Sequence, residues 1–121
     1  MTGPMTDTYI SIAEQLAQIP PHESGKRSVI LTKTDQLRVI LQRMTAGAEL
    51  REHSAPGQIT LHGLSGRFQV TANGDTFTVT DDSLITLGPG IRHNVVCEQD
   101  GAFLLTIAWP HGPDPVSSGE A

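Results

Sequence analysis

Hydrophobic and polar positions follow two different periods along this chain. Near the start, Ile12, Leu16 and Ile19 recur at spacings of four and three, which places them on one helical face. Asp7 or Thr8 is the expected cap, Glu14 lies in the early turns, and Pro20-Pro21 ends the helix near residue 18. From residue 28 the period becomes extended. Residues 28–32 (SVILT) and 37–44 (LRVILQRM) read as strands joined by a turn at Thr34-Asp35. After Thr45-Ala46-Gly47 a short extended piece runs through His53 and breaks at Pro56-Gly57. Residues 58–64 and 68–72 are then predicted as two strands flanking a turn at Ser65-Gly66.

Asn73-Gly74 is the sharpest local signal. It separates residues 67–72 (RFQVTA) from 75–80 (DTFTVT), the pattern of a two-residue type I′ hairpin. Phe68, Val70, Phe77 and Val79 alternate with polar residues, predicting one buried and one wet face. Asp81-Asp82, Gly88-Pro89-Gly90 and Gln99-Asp100-Gly101 mark further reversals between strands at 84–87, 92–97 and 102–109. In the last of these, Phe103, Leu105, Ile107 and Trp109 share one parity, and Ala102, Leu104, Thr106 and Ala108 the other. Both are largely apolar, which predicts a sheet-interior strand or a subunit interface. About eight short strands with glycine turns indicate an antiparallel sandwich or barrel. The expected organisation is an N-terminal arm and short helix over residues 1–27, one barrel over 28–109 and a flexible tail over 110–121.

Composition narrows the function. With 121 residues the chain is one domain. Eight Lys and Arg against 13 Asp and Glu give a net charge of −5, and no basic run occurs, which argues against nucleic acid or an anionic membrane. The single cysteine, Cys97, excludes an internal disulfide and suits a reducing compartment. The opening residues lack the charged start and apolar core of a signal peptide, and no apolar run approaches the roughly 20 residues of a membrane span. A cytoplasmic location is expected.

The candidate chemistry centres on two histidines. Gly47, His53 and Gly66 fall in the frame G-x5-H-x-H-x3-E-x6-G, and Gly90 and His93 in the frame G-x5-P-x-G-x2-H-x3-N. In this the chain resembles the cupin family. The family's second histidine falls on Ala55 and its glutamate on Ile59, while Asp82, Gly88 and Cys97 occupy other motif positions and Pro89 is displaced by one place. The resemblance covers about residues 28–109. It implies an all-β, double-stranded β-helix (jelly-roll) barrel with its site in the mouth, and a homodimer. Cupins commonly bind Fe, Mn, Ni, Cu or Zn through three histidines and a glutamate. Here His53 and His93 remain, so the expected cofactor is none or a weakly bound divalent transition metal.

Other residues are weighed as additions to this pair. Cys97, four beyond His93, shares its face of a regular strand and is the candidate third ligand, against the reading of a small buried hydrophobe. A nucleophile-base role for Cys97 and His93 fails on distance, since four strand residues span about 13 Å. Gln58 adjoins the lost glutamate position with the wrong parity. Arg51 alternates with His53, so on a regular strand it faces the pocket and could hold a carboxylate. Gln42, Ile59 and Trp109 are further candidate lining, His62 is expected to point outward, and His22 and His111 sit beside prolines in the terminal segments. Three functions compete: a small-molecule binder with a degenerate metal site, a metal-dependent oxygenase or isomerase, and a non-catalytic sensor or dimeric scaffold. The missing donors at Ala55 and Ile59 favour the first and third; whether the chain is an enzyme stays open.

Overall fold

The computed structural model describes residues 8–20 and 23–109, so His22, His111, Asp7 and the expected tail lie outside the described residues. One helix, α1 (Ile12–Gln18), precedes seven strands: β1 (Lys26–Lys33), β2 (Leu37–Met44), β3 (Glu49–His53), β4 (Ile59–Ala72), β5 (Asp75–Thr80), β6 (Leu84–Leu87) and β7 (His93–Ala108). The helix starts later than its expected cap. Ser11 takes that role, its side chain accepting the Glu14 amide at 3.2 Å. At the other end the Arg43 guanidinium donates to the Ile19 carbonyl at 2.6 Å and to that of Leu16 at 3.3 Å, satisfying carbonyls that the helix leaves open.

Two long strands organise the sheet. β4 has 14 residues and β7 has 16, and they pair antiparallel along most of their length. One half of β7 pairs with β2 and the same half of β4 with β6; the other halves pair with β3 and β5. The result is two facing half-sheets, β1-β2-β7-β4-β6 and β3-β7-β4-β5, sharing their central strands. The sheet does not close on itself, and β1 and β5 end the main strand order. It is a jelly-roll-like all-β fold with one short helix.

This connectivity corrects two expected turns. Ser65-Gly66 and Gln99-Asp100-Gly101 do not separate strands; they lie opposite one another inside β4 and β7, where the register shifts between Gly63 and Phe68. These shifts are β-bulges, which bend both strands from one half-sheet into the other. Two pairs of expected strands therefore merge into β4 and β7, leaving seven strands. The Asn73-Gly74 hairpin is as expected, with both residues at positive φ, 53° and 80°.

The core lies between the half-sheets. Met44, Leu61, Phe68, Val70, Val79, Val95, Cys97 and Phe103 form its main cluster, and Phe68 meets Phe103 edge-on with ring centroids 5.1 Å apart. Phe77 departs from the expected alternation. It sits on edge strand β5 and is 42% exposed, while Val70 opposite is sealed by its other neighbour on β7, Val95. The second apolar parity of β7 also finds a cover within the chain. Ala102 and Leu104 pack with Leu41, Val29, Leu31 and Leu64 under Ile12, Leu16 and Ile19 of α1. The helix supplies the burial for which a subunit interface was one expected explanation.

Candidate functional site

His53 ends β3 and His93 begins β7, and the two stand opposite each other in the β3-β7 register. Their ring centroids are 4.4 Å apart at an interplanar angle of 58°. Each ring is steered by the carbonyl two residues before it: Nδ1 of His53 lies 2.7 Å from the Arg51 oxygen, and Nδ1 of His93 lies 3.0 Å from the Ile91 oxygen. A carbonyl can only accept, so Nδ1 carries the proton and donates in both rings. In the neutral ring this leaves the Nε2 lone pair for a ligand. The loops that carry the pair are joined as well, since the Gly90 amide donates to the Ala55 carbonyl at 2.9 Å.

Burial gives His93 a definite charge state. The residue is 3% exposed. Burial pushes its imidazole below the ordinary value of 6.5; the Ile91 hydrogen bond works in the opposite direction, and nearby His53 adds to the lowering. His93 is thus a neutral acceptor at pH 7. Because the folded value lies below the unfolded one, the unfolded chain takes up this proton first as pH falls. The associated stability is intact above pH 6.5 and is lost as pH drops through the folded value. The melting temperature of the wild type should therefore fall by a few degrees between pH 7 and pH 5. His93→Gln, a side chain without a titrating ring, should flatten that slope, and an unchanged slope would contradict the assignment.

Where the family frame places the other two donors, the interior is apolar and closed. Ala55 is 5% and Ile59 is 3% exposed, and both pack against Ile107, with Ile40, Leu87, Leu105 and Trp109 around them. Gln58 is exposed, as its parity requires. Cys97 does not complete the pair. It lies in the main core opposite Phe68, its Sγ donates to the Gln99 carbonyl at 3.1 Å, and burial raises its pKa, which favours the thiol over the ligating thiolate. Among the described residues no group of three or more His, Cys, Asp or Glu side chains could hold a metal ion. The donor set therefore does not fit the four-ligand centre of the resembled family.

The remaining expected residues separate. Gln42 is buried, but its amide donates to the Arg27 and Arg43 carbonyls at 3.2 and 3.3 Å, a tie to the sheet backbone. Arg51 is exposed rather than aligned with His53, because β3 carries a bulge between Leu50 and His53 and the strand is not regular there. His62 lies opposite Leu84 and Leu104 and shares their outward parity. Trp109 does reach the apolar end beside Ile107 and Ile59, and there it meets a residue that the sequence reading passed over. The Arg38 guanidinium carbon lies 4.1 Å from the centre of its ring. Arg38 alternates with Ile40, Gln42 and Met44, the core-facing parity of β2. A surface cleft of about 600 Å³ lies elsewhere, between α1 and the outer sheet face. Its charged side chains are already engaged, Arg43 with the helix carbonyls and Asp100 with the Ala46 amide at 2.7 Å.

No family model and no curated protein matches the chain. Solved structures do. A conserved Streptococcus pyogenes protein of unknown function superposes with a TM-score of 0.77 at 20% identity, over 93% of this chain and 98% of the other. A cupin superfamily protein from Desulfitobacterium hafniense gives 0.75 at 14% identity, over 88% and 94%. A double-stranded β-helix protein from Klebsiella pneumoniae gives 0.74 at 18% identity, over 89% and 95%. The fold is that of the cupins. At such identities the likeness extends to the cupin fold and carries no activity. Gly47, Gly66 and Gly90, the glycines that fall in the frame of the resembled family, all adopt positive φ, a conformation that favours glycine. No described helix is long and apolar enough to cross a membrane.

Proposed function

We propose that this cupin binds a small organic molecule at the end of the fold where His53 and His93 meet. The observation that carries the reading is the shared geometry of the pair: each Nδ1 lies within hydrogen-bond distance of a backbone carbonyl, which leaves the Nε2 of each neutral ring available as an acceptor. Ala55, Ile59 and Ile107 form a closed apolar cluster next to this end of the fold. A ligand hydroxyl donating to Nε2 satisfies the imidazole without deprotonating anything, and the neutral state of His93 favours it. The metal-dependent enzyme reading receives no such support, because two imidazoles leave most of a metal's positions to solvent. Homodimer assembly belongs to the same proposal. Strand β1 offers an unpaired edge and Ile30, 53% exposed, lies on it.

Protein purified without a chelator or affinity tag should carry far less than one equivalent of Zn, Cu, Fe or Mn. A thermal-shift and NMR screen of small alcohols and organic acids should return binders whose effect disappears in His53→Ala and His93→Ala. A stoichiometric metal lost with either histidine would overturn the binding-only reading in favour of the metal enzyme.

A further inference from the structure

The cleft between α1 and the outer sheet face holds two opposite charges that do not meet. It encloses about 600 Å³, a volume common among small-molecule sites, and both Arg43 and Asp100 line it. The ion pairs among the described residues are Arg67 with Glu98 and Arg92 with Glu52, so neither lining charge neutralises the other. The register accounts for their placement. Arg43 on β2 stands opposite Ala102 on β7, and Asp100 lies two residues before Ala102. Diagonal positions of this kind share a sheet face, with their backbones about 7–8 Å apart.

Each charge is held from behind and is only partly used. Arg43 makes both of its bonds to the helix through Nη1, at 2.6 Å to the Ile19 carbonyl and 3.3 Å to that of Leu16. Asp100 accepts the Ala46 amide through Oδ1 alone. Left over are Nε and Nη2 of Arg43 and Oδ2 of Asp100. The two free nitrogens lie along one edge of the guanidinium, the fork that receives a carboxylate side-on, and they are not sealed from solvent. The hydroxyl of Ser65, exposed in the same cleft, has no partner among the described residues either. Ala13, Leu16 and Ala17 of α1 form an apolar wall, and Met44 and Ala102 lie in the sheet beneath. A plain carboxylate on Arg43 would bring its charge towards Asp100, and a plain amine on Asp100 would face Arg43. A ligand with both charges a few ångströms apart answers both.

We propose that this cleft binds a free α-amino acid with an apolar side chain. Its carboxylate takes two parallel hydrogen bonds from Nε and Nη2 of Arg43. Its ammonium donates to Oδ2 of Asp100 and to the Ser65 hydroxyl. Its side chain lies along Ala13 and Ala17. The site is separate from the histidine pair and does not depend on the reading given for it.

Two-dimensional amide NMR of the full chain, titrated with L-leucine, tests this. Leucine should shift the amides of Ala17, Ala46 and Gly101 saturably and leave those of His53 and His93 in place. Leucinamide, without the carboxylate, and N-acetylleucine, without the ammonium, should each bind on the order of 10-fold more weakly. Asp100→Asn keeps the oxygen that accepts the Ala46 amide and removes the charge. It should bind leucine no better than N-acetylleucine, and both better than leucinamide. Ala17→Phe, at an exposed helix position, should fill the cleft and abolish the shifts with both charged side chains untouched, which decides the matter even if Asp100→Asn fails to fold. Equal binding of leucine and its two capped forms overturns the proposal. So does a preference for leucine over N-acetylleucine that survives in Asp100→Asn, binding that survives in Ala17→Phe, or the absence of shifts at the cleft. His53→Ala should bind leucine as the wild type does, so the two sites stand or fall separately.

Discussion

Gly101→Ala is expected to be strongly destabilising. At the point where β4 and β7 bend together, a Cβ on Gly101 would overlap the Ser65 carbonyl and stand 2.6 Å from the Gly66 Cα. A Cβ on Gly66 would meet the Gln99 and Asp100 carbonyl oxygens, both at 2.6 Å. These are backbone atoms in two strands that are pinned on their outer sides, Gly101 by its pairing with Met44 and Arg67 by its pairing with Thr80. Neither strand can retreat without dragging a half-sheet with it. The expected loss is on the order of 3–5 kcal/mol, a large share of the stability of a domain this size. Urea unfolding followed by circular dichroism measures it. Gly74→Ala is the control: it has the same positive φ as Gly66 but nothing within 4 Å, so only the backbone conformation, about 1–2 kcal/mol, is at stake. A Gly101→Ala protein as stable as the control would show that the crossing is looser than the structure draws it.

The same glycines explain which parts of the fold the sequence could convey. Asn73-Gly74 is legible because a type I′ turn needs two consecutive positive-φ residues between alternating strands, and few other structures ask for that pattern. Ser65-Gly66 and Gln99-Asp100-Gly101 look equally like turns. There, however, glycine serves the approach of one backbone to another, a contact between residues some 35 positions apart that no local pattern encodes. The apolar outer face of β7 was ambiguous for a related reason. Its period shows that something covers it, and only the packing of Ile12, Leu16 and Ile19 shows that the cover is the chain's own helix.

Half of the candidate site was legible. The two histidines stand out because glycines with a structural duty hold them in a recognisable frame. Their pairing across β3 and β7, and the carbonyls that set their tautomers, depend on register and are not. Arg51 alternates with His53 in the sequence and so reads as pocket-facing; one bulge after Leu50 reverses that parity and leaves it exposed. Arg38, in LRVILQRM, shares the alternation of Ile40, Gln42 and Met44 yet reads as a surface position; only the fold shows its guanidinium over the Trp109 ring.

Ala55→His combined with Ile59→Glu should turn this end of the fold into a metal site. Both positions point into the closed interior with His93 and His53 at its edge, so the two substitutions supply the missing lone pairs from the backbone positions that the cupin frame assigns to them. Without metal the double variant should be less stable than the wild type by roughly 2–5 kcal/mol, because an imidazole and a carboxyl replace a packed methyl and a sec-butyl group. Zinc at a hundredfold excess over its dissociation constant should return about 2.7 kcal/mol, seen as a melting transition that rises with zinc and falls back with a chelator. Equilibrium dialysis should find close to one zinc per chain, against a small fraction in the wild type. Gln58→Glu discriminates a built site from added surface charge: Gln58 neighbours Ile59 but is exposed, so the same carboxyl one residue earlier should leave the zinc response at the wild-type level. A double variant indifferent to zinc would mean that Ala55 and Ile59 do not converge with the histidines, and the family frame would then describe the turns of this chain without describing its pocket.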